Sequence, residues 1–355
     1  MATRIGIATR DFPPNIKRQF SALKNFLKNK KLSIDIISPY KISSLRNLDI
    51  KDTKKERDRL IKKRKHKINL LKNCLTYVNK FRPNALMNFS ASATKQILFT
   101  KWISGYSHLI ARYSGEFLKN RKWEKSIPRK IKHKLTWKSI ALSTLKSAEK
   151  IVCLGPVGKA KLKARGFNPS QIEIIPPFID IEKFHPIENK LKYRKKVNLP
   201  QTKKIILFVG RLSKEKGAHI LEKIIRKVEN EWNDILFCLI GQGKYRRKLE
   251  KYENVMTRGL VDFRKIDNYY KTADLLILTS LTEGLPNVVL ESLACRLPVV
   301  ATNVGEIPWL VSNICSTPQE FTRFILSGEW KVDELPPLFE PKNIAQQYIK
   351  LFKSF

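Results

Sequence analysis

The feature that most constrains this chain is an alternation of short apolar segments with longer helical ones, which occurs twice along its 355 residues. In the first half, segments with helical spacing occur at Ile16–Leu27, at about 55–80 and at about 116–147. The strands predicted between them are Ile5–Ala8, Ser33–Ile37, Ala85–Phe89, His108–Ala111, Lys150–Cys153 and Glu173–Ile175. Such an alternation predicts parallel sheets with right-handed crossovers.

A second series follows a linker rich in proline and charge, at about 176–200. Its predicted strands are Lys204–Val209, Ile235–Ile240, Val255–Arg258, Leu275–Leu278 and Val299–Ala301. The chain is too long for one ordinary core and suits two. We therefore predict an α/β protein with two Rossmann-like doubly wound domains, 1–185 and 186–340. A last helix, 341–355, is predicted to return toward the first domain.

The two halves differ strongly in charge. Residues 1–200 contain 47 lysines and arginines against 13 acidic residues, a net +34, within a total of +39. Such a surface attracts nucleic acid, anionic lipid or phosphorylated substrates, and charge alone does not choose among them. The five cysteines are scattered and form no metal-binding spacing. No signal-peptide core or membrane-length apolar run occurs, so a cytoplasmic location is expected.

Two glycine-containing loops in the second half follow predicted strands. Residues 208–217 leave an apolar strand and enter a helix, and Arg211 and Lys216 place two cations there. In an open parallel sheet, ligands bind at the carboxyl ends of the strands, where this loop is expected. Gly241 and Gly243 follow the next strand and indicate either a close ligand approach or an ordinary turn.

The third loop, residues 280–294, is the most specific. Gly284 permits a tight turn, Pro286 is placed to open a helix, and Glu283 and Glu291 are eight residues apart. Free N–H groups at the start of a helix form an anion site. A carboxylate accepts two hydroxyls at once, as the diols of ribose or hexose present. The loop therefore predicts a site for a sugar and phosphate.

Together these motifs resemble those of glycosyltransferase family 4, from Phe208 to about Leu310. The similarity also includes residues 269–274 and 297–302. The resemblance implies a GT-B fold, whose two Rossmann-like domains face each other across a cleft. It further implies a retaining transfer from a nucleotide-sugar donor, such as a UDP- or GDP-sugar, with no cofactor and no metal required.

The resemblance also implies roles for individual residues. Arg211 and Lys216 would bind the diphosphate, Glu283 a donor-sugar hydroxyl and Glu291 the ribose. The backbone from Gly284 through Leu285 and Pro286 to Asn287 would hold sugar or phosphate, and Gly241, Gly243, Arg258 and Gly259 would lie near the base. The nearest match to a metal-binding Asp-x-Asp motif, at 180–182, is predicted to be structural. No candidate carboxylate nucleophile is present, which favours front-face displacement.

Three positions depart from the family pattern. Asn15–Arg18 replace a glycine pair in the first loop, which puts donor contacts there in doubt. Ser114 lies where many relatives carry a histidine often assigned to the reaction centre. Arg296 replaces the glycine that usually ends the glutamate-bearing helix, so that helix is expected to end differently.

The basic first half is expected to receive the acceptor. We predict a lipid-linked or glycan acceptor and an anionic membrane surface, with peripheral binding to its inner face. Two candidate contacts are the basic run 62–65 and a helix with Trp123, Ile127, Ile131 and Leu135 on one side. Nucleic acid is not expected as a partner, because recognised motifs are absent. A catalytically impaired partner subunit, a basic nucleic-acid-binding protein and a GT-B epimerase remain alternatives.

Overall fold

The computed structural model describes residues 3–9, 32–38, 42–44, 63–88, 94–114 and 139–355. They form two compact units, Met1–Phe178 with Pro341–Phe355, and Ile179–Glu340. The first unit ends before Ile179 rather than at residue 185, and the last helix belongs to it. The predicted helix Ile16–Leu27, the basic residue Lys62, and Trp123 with its apolar neighbours lie outside the described residues.

The N-terminal unit contains one parallel sheet with an antiparallel edge strand. Its described helices are α1 (Lys63–Phe81), α2 (Thr94–Ser104), α3 (Ser139–Ser147), α4 (Pro156–Lys163) and α11 (Pro341–Lys353). Its described strands are β1 (Thr3–Ala8), β2 (Leu32–Ile37), β3 (Ile42–Ser44), β4 (Ala85–Asn88), β5 (Leu109–Tyr113), β6 (Lys150–Cys153) and β7 (Ile172–Ile174). They lie in the order β3-β2-β1-β4-β5-β6-β7, with only β3 antiparallel among these strands.

Alternation along the strands produces two cores, one on each face of this sheet. Ile5, Ile7 and Met87 face α11, whose Tyr348 and Phe352 are buried against them. The intervening strand residues face helices α1, α2, α3 and α4. Both faces are therefore covered, as a parallel sheet requires.

The C-terminal unit is a second parallel sheet. Its described helices are α5 (Lys190–Lys196), α6 (Ala218–Glu231), α7 (Arg246–Leu249), α8 (Asp267–Thr272), α9 (Asn287–Ala294) and α10 (Pro318–Ser327). Its described strands are β8 (Lys204–Val209), β9 (Ile235–Ile240), β10 (Val255–Gly259), β11 (Leu275–Leu278), β12 (Val299–Ala301) and β13 (Asn313–Ile314). All five predicted strands are present, and β13 is an additional edge strand.

The strand order of this unit places a ligand site. The order is β10-β9-β8-β11-β12-β13, so the chain starts in the middle, moves to one edge and then crosses to the other. The reversal falls between β8 and β11, which pair directly. In doubly wound sheets, ligands bind beyond the carboxyl ends of the strands at this switch point. The predicted Rossmann-like architecture of both units is confirmed.

Helix α9 ends with the geometry that a glycine would normally provide. Arg296 has φ 52° and the Leu297 amide donates to the Ser292 carbonyl at 2.9 Å. The expectation that replacing the glycine changes the helix end is therefore wrong. The chain accepts a left-handed arginine because its side chain is exposed and the surrounding residues fix the turn.

Arg296→Gly is expected to raise the free energy of unfolding by about 0.5–1 kcal/mol. Glycine removes the strain of the left-handed conformation, which stabilises the folded state. This gain is larger than the loss of stability that results from the greater backbone entropy of glycine in the unfolded chain. Arg323→Gly, an exposed position inside α10, is the control and should lower stability by about 1 kcal/mol. Urea denaturation of the full chain measures both, and equal destabilisation by the two substitutions would contradict the strain argument.

No helix within the described ranges combines the length and apolar character needed to cross a membrane. All five cysteines are buried and free, in agreement with the scattered spacing seen in the sequence.

Candidate functional site

The loops that follow β8 and β11 meet at the switch point and hold each other in place. The Thr279 hydroxyl donates to the carbonyls of Lys216 and Gly217, both at 3.1 Å. The Leu281 amide donates to the Glu215 carbonyl at 3.0 Å. Gly217 has φ 70°, and a Cβ there would lie 1.7 Å from the Thr279 carbonyl oxygen. Only glycine allows this approach, which fixes the position of Lys216 beside the β11 loop.

Lys216 and Glu283 form a close ion pair between these two loops. Lys216 Nζ lies 2.6 Å from Glu283 Oε1, and the same oxygen accepts the Ser280 hydroxyl at 2.6 Å. Glu283 and Ser280 are buried, with 5% and 0% of their surfaces exposed. A buried carboxylate needs such partners to remain charged. The arrangement holds one cation and one anion in defined positions at the carboxyl ends of the strands.

The loop after Glu283 leads directly into α9. Pro286 is the extended residue before the helix, with ψ 129°, and the helix begins at Asn287. Pro286 was predicted in the first turn, and it lies one residue earlier. Gly284 and Leu285 precede it, and the Gly284 carbonyl accepts the Glu306 amide at 2.8 Å. Because proline has no N–H, backbone donors in this segment come from its neighbours.

Glu291 lies in the middle of α9, one turn after Asn287, as predicted. Its side chain is buried, with 5% of the residue exposed. Glu283 and Glu291 are therefore both sheltered carboxylates on the same loop-and-helix segment, rather than solvated surface charges.

The loop after β9 packs onto the loop after β8. Leu212 donates its amide to the Gln242 carbonyl at 2.9 Å, and Gly241 donates to the Gly259 carbonyl at 2.7 Å. Gly241 has φ 142°, and a Cβ there would lie 1.9 Å from the Gly210 carbonyl. Gly243 lies against Leu212 in the same way. The requirement for glycine thus arises from contact between two protein backbones.

Two predicted site cations have different surroundings. Arg211 is exposed over 68% of its side chain and pairs with Glu215 at 3.3 Å, so its guanidinium can move. Arg258 donates from Nη2 to the carbonyls of Val197 and Asn198 at 2.9 and 2.6 Å. Its side chain is therefore directed to the loop after α5. At this end of β10, the Gly259 carbonyl makes the contact with the Gly241 loop.

Ser114 belongs to the N-terminal unit, directly after β5, and is half-buried. The structure therefore places it at the carboxyl end of a parallel strand. Asn88, the last residue of β4, fixes the end of that strand. Its side-chain oxygen accepts the Arg112 amide at 2.8 Å, and its side-chain nitrogen donates to the Thr94 hydroxyl at 3.1 Å.

One histidine and two cysteines near the loops have shifted pKa values. Burial, and then the charges of Lys214 and Lys223, lower the pKa of His219, which follows the Gly217 loop. Its imidazole is therefore neutral at physiological pH. Burial raises the pKa of Cys295 and Cys238 to about 12, so neither thiol is a thiolate nucleophile.

Residues 180–182 form a local turn. The Asp180 carboxylate accepts the Lys183 amide at 3.1 Å and its carbonyl accepts the Phe184 amide at 2.8 Å. These contacts agree with the structural role predicted for the segment.

The segment that contains these loops is similar to a known protein family. Residues 189–314 match the family of glycosyl transferases group 1. The chain is related to the glycosyltransferases. The resemblance to glycosyltransferases is therefore confirmed, while membership of family 4 stays a prediction. The matched segment contains the Lys216, Glu283 and Glu291 loops.

Two curated glycosyltransferases show the extent of this relationship. The Bacillus subtilis putative teichuronic acid biosynthesis glycosyltransferase TuaC is 33% identical over 189 residues, covering 50% of this chain and 47% of that protein. An Escherichia coli UDP-Gal:alpha-D-GlcNAc-diphosphoundecaprenol alpha-1,3-galactosyltransferase is 29% identical over 203 residues, covering 54% and 51%. The chain thus spans about half the length of the curated relatives it matches.

The fold extends over the whole chain. Anabaena HepE, solved in complex with UDP and glucose, aligns with a TM-score of 0.69 over 99% of this chain and all of that one, at 14% identity. This similarity shows the GT-B fold.

The sequence motifs of the candidate site did not identify the residues that support it. Thr279 and Ser280 fix Lys216 and Glu283, and the Thr302 hydroxyl donates to the Ser280 carbonyl at 2.6 Å. A hydroxyl residue directly after a buried apolar strand is the only signal for such a role. It is weak, because hydroxyl residues are common at strand ends.

Ser280→Ala is expected to lower kcat about tenfold and to lower the free energy of unfolding by about 1.5–3 kcal/mol. The substitution removes the hydrogen bond that the Ser280 hydroxyl donates to the Glu283 carboxylate, so that the orientation of this carboxylate is less restrained. Ser292→Ala is a matched control, because Ser292 is fully buried and its hydroxyl oxygen makes no hydrogen bond to the described residues. Initial-rate kinetics of both variants measure the difference. Equal rates for the two variants would show that Ser280 does not position Glu283.

Proposed function

We propose that this protein is a retaining glycosyltransferase of family 4 that takes its sugar from a nucleoside-diphosphate sugar. The observation that carries the proposal is the Lys216–Glu283 pair at the switch point of the C-terminal sheet, in which the two side chains are 2.6 Å apart, the carboxylate is buried and the lysine is partly exposed. It combines a cation suited to a diphosphate with a carboxylate suited to a sugar hydroxyl, on loops that belong to the matched family segment.

The chemistry required of the site is stabilisation of the leaving diphosphate. Breaking the bond between the sugar and the diphosphate places negative charge on the departing phosphate oxygens. Lys216 and the N-terminal end of α9 supply positive potential there. Because the Arg211 side chain is exposed, it can leave Glu215 and bind the phosphate instead. These groups can perform the charge stabilisation that a divalent cation provides in other transferases, so we propose that no metal is required.

Glu283 is proposed to orient the donor sugar rather than attack it. Its Oε1 atom is held by both Lys216 and Ser280, which restrains the carboxylate in one orientation. A carboxylate that is held in one orientation can hold a hydroxyl of the donor sugar in one position. Together with retention, this supports front-face displacement, in which acceptor and leaving group occupy the same face of the sugar.

We further propose a lipid-linked or glycan acceptor, with the protein peripheral on the cytoplasmic face of a membrane. The net charge of +34 in residues 1–200 favours an anionic surface. The Escherichia coli relative is named for a diphosphoundecaprenol acceptor, which is a membrane lipid. Ser114, at the end of β5, is proposed to contribute to substrate binding.

A donor panel tests the proposal. The full chain is incubated with UDP-, GDP- and ADP-sugars, and released nucleotide is measured with and without EDTA. One base is expected to give release above the uncatalysed rate, unchanged by EDTA. Release that EDTA abolishes and manganese restores would contradict the metal-independent chemistry. Absence of release with every donor and with lipid extracts as acceptors would favour a catalytically impaired partner subunit.

A further inference from the structure

The outer face of helix α2 carries large apolar side chains without protein cover. Trp102 and Ile103 are each 62% exposed and Phe99 is 40% exposed. The three residues lie at positions i, i+3 and i+4, which places them on one face of the helix. The rings of Phe99 and Trp102 meet edge to face, with centroids 5.5 Å apart. We call these three residues the α2 ridge.

The opposite side of α2 is firmly anchored in the N-terminal unit. Ile97, Leu98 and Thr100 are buried, and the helix packs against both α1 and α3. Lys101 donates to the Ser147 carbonyl, at the end of α3, at 3.0 Å. The ridge is therefore presented by a rigid helix rather than by a loose terminus.

The helices around the ridge contain no acidic residue. Helices α1, α2 and α3 together contain nine lysines or arginines and no aspartate or glutamate. Lys72 and Lys146 are exposed on the two helices that flank α2. An apolar ridge on a helix that is flanked by exposed lysines matches a membrane surface, which has anionic headgroups outside and apolar acyl chains beneath.

We propose that the α2 ridge is the surface by which this protein binds an anionic lipid bilayer, with Phe99, Trp102 and Ile103 entering the interface and the surrounding lysines contacting headgroups. Aromatic residues favour the boundary between headgroups and acyl chains. The aliphatic side chain of Ile103 lowers its free energy only when it is transferred out of water. Nucleic acid fits less well, because Ile103 can neither stack on a base nor bind a phosphate. The proposal deepens the membrane-linked function proposed above and rests on it.

Vesicle flotation of the full chain tests the surface directly. Vesicles contain either phosphatidylcholine alone or phosphatidylcholine mixed with the anionic lipid phosphatidylglycerol, whose negative surface attracts lysine side chains. The triple variant Phe99→Ser, Trp102→Ser, Ile103→Ser is expected to bind anionic vesicles at least ~30-fold more weakly, because three side chains lose apolar burial. The control triple variant Ile181→Ser, Leu191→Ser, Val332→Ser removes comparably exposed residues from the other unit and should bind as the unchanged protein does.

Separate experiments measure the contribution of the lysine charges to vesicle binding and the depth to which Trp102 enters the bilayer. Lys72→Gln and Lys146→Gln should each weaken binding to anionic vesicles about fivefold. Brominated lipids should quench the tryptophan emission of the unchanged protein, and Trp102→Phe should remove most of that quenching while binding persists. Unchanged binding of the ridge variant, equal affinity for neutral vesicles, or RNA that binds through the ridge and displaces the protein from vesicles would each overturn the proposal.

Nucleotide release measured without vesicles separates this proposal from the proposed function. The ridge variant should release nucleotide at the unchanged rate, since the ridge belongs to none of the three candidate site loops, 210–217, 241–243 and 283–291. If no variant releases nucleotide but vesicle binding depends on the ridge, the surface stands and the transferase proposal fails. If release occurs and vesicle binding ignores the ridge, the transferase stands and the surface fails.

Discussion

Lys216→Met is expected to lower the rate of sugar transfer by about 100- to 1000-fold. The methionine keeps the approximate length of the side chain but removes the cation that we propose to stabilise the leaving diphosphate. The loss of one such group typically has this effect. Lys216 is fixed by the Gly217 turn and by the Thr279 hydroxyl, so a neighbouring lysine cannot replace it. Initial rates at saturating donor measure the change.

Lys214→Met is the matched control for this prediction. Lys214 belongs to the same loop and has the same charge, but it is exposed. Its loss should change the rate no more than twofold. A similar loss in both variants would mean that the loop acts through its overall charge, and the specific role of Lys216 would be wrong.

Glu291→Gln is expected to lower kcat/KM for the donor at least ~100-fold. Two hydrogen bonds from ribose hydroxyls to a charged carboxylate would be weakened, and each such bond contributes about 1.5–3 kcal/mol. Glu291→Ala should abolish transfer. Glu329→Gln, an exposed carboxylate of the same unit, is the control and should have no effect.

A modified donor sharpens this second prediction. With a 2′-deoxyribose donor, the unchanged enzyme should itself lose activity, and the further effect of Glu291→Gln should become much smaller. When the effect of a protein substitution depends on the presence of one ligand group, the two groups are in direct contact. Equal effects of Glu291→Gln on both donors would place the carboxylate away from the ribose.

The C-terminal unit could be predicted closely from the sequence, because its central strands are buried on both faces. Segments such as Lys204–Val209 and Ile235–Ile240 are therefore almost continuously apolar, and their limits are those of β8 and β9. The short edge strands β3 and β13 and the helix α2 were missed. In α2 the outward face is apolar as well, so the polar face that marks an amphipathic helix is absent.

The candidate site could be predicted only in part. The motif spacing identified Lys216, Glu283 and Glu291, but it gave no information about their contacts. Lys216 and Glu283 are 67 residues apart, and their pairing depends on β8 and β11 being neighbours. The binding of Arg258 to the Val197 and Asn198 carbonyls likewise depends on a contact 60 residues away along the chain. Such long-range partners are set by sheet order and cannot be found by reading along the chain.

Hydrogen–deuterium exchange with and without the preferred nucleotide sugar tests the central claim most directly. The donor should protect amides in the three loops 210–217, 241–243 and 283–291 of the full chain, and Lys216→Met should weaken that protection. This result would place the nucleotide sugar at the switch point of the C-terminal sheet. Protection confined to the N-terminal unit, or none in these three loops at saturating donor, would contradict it.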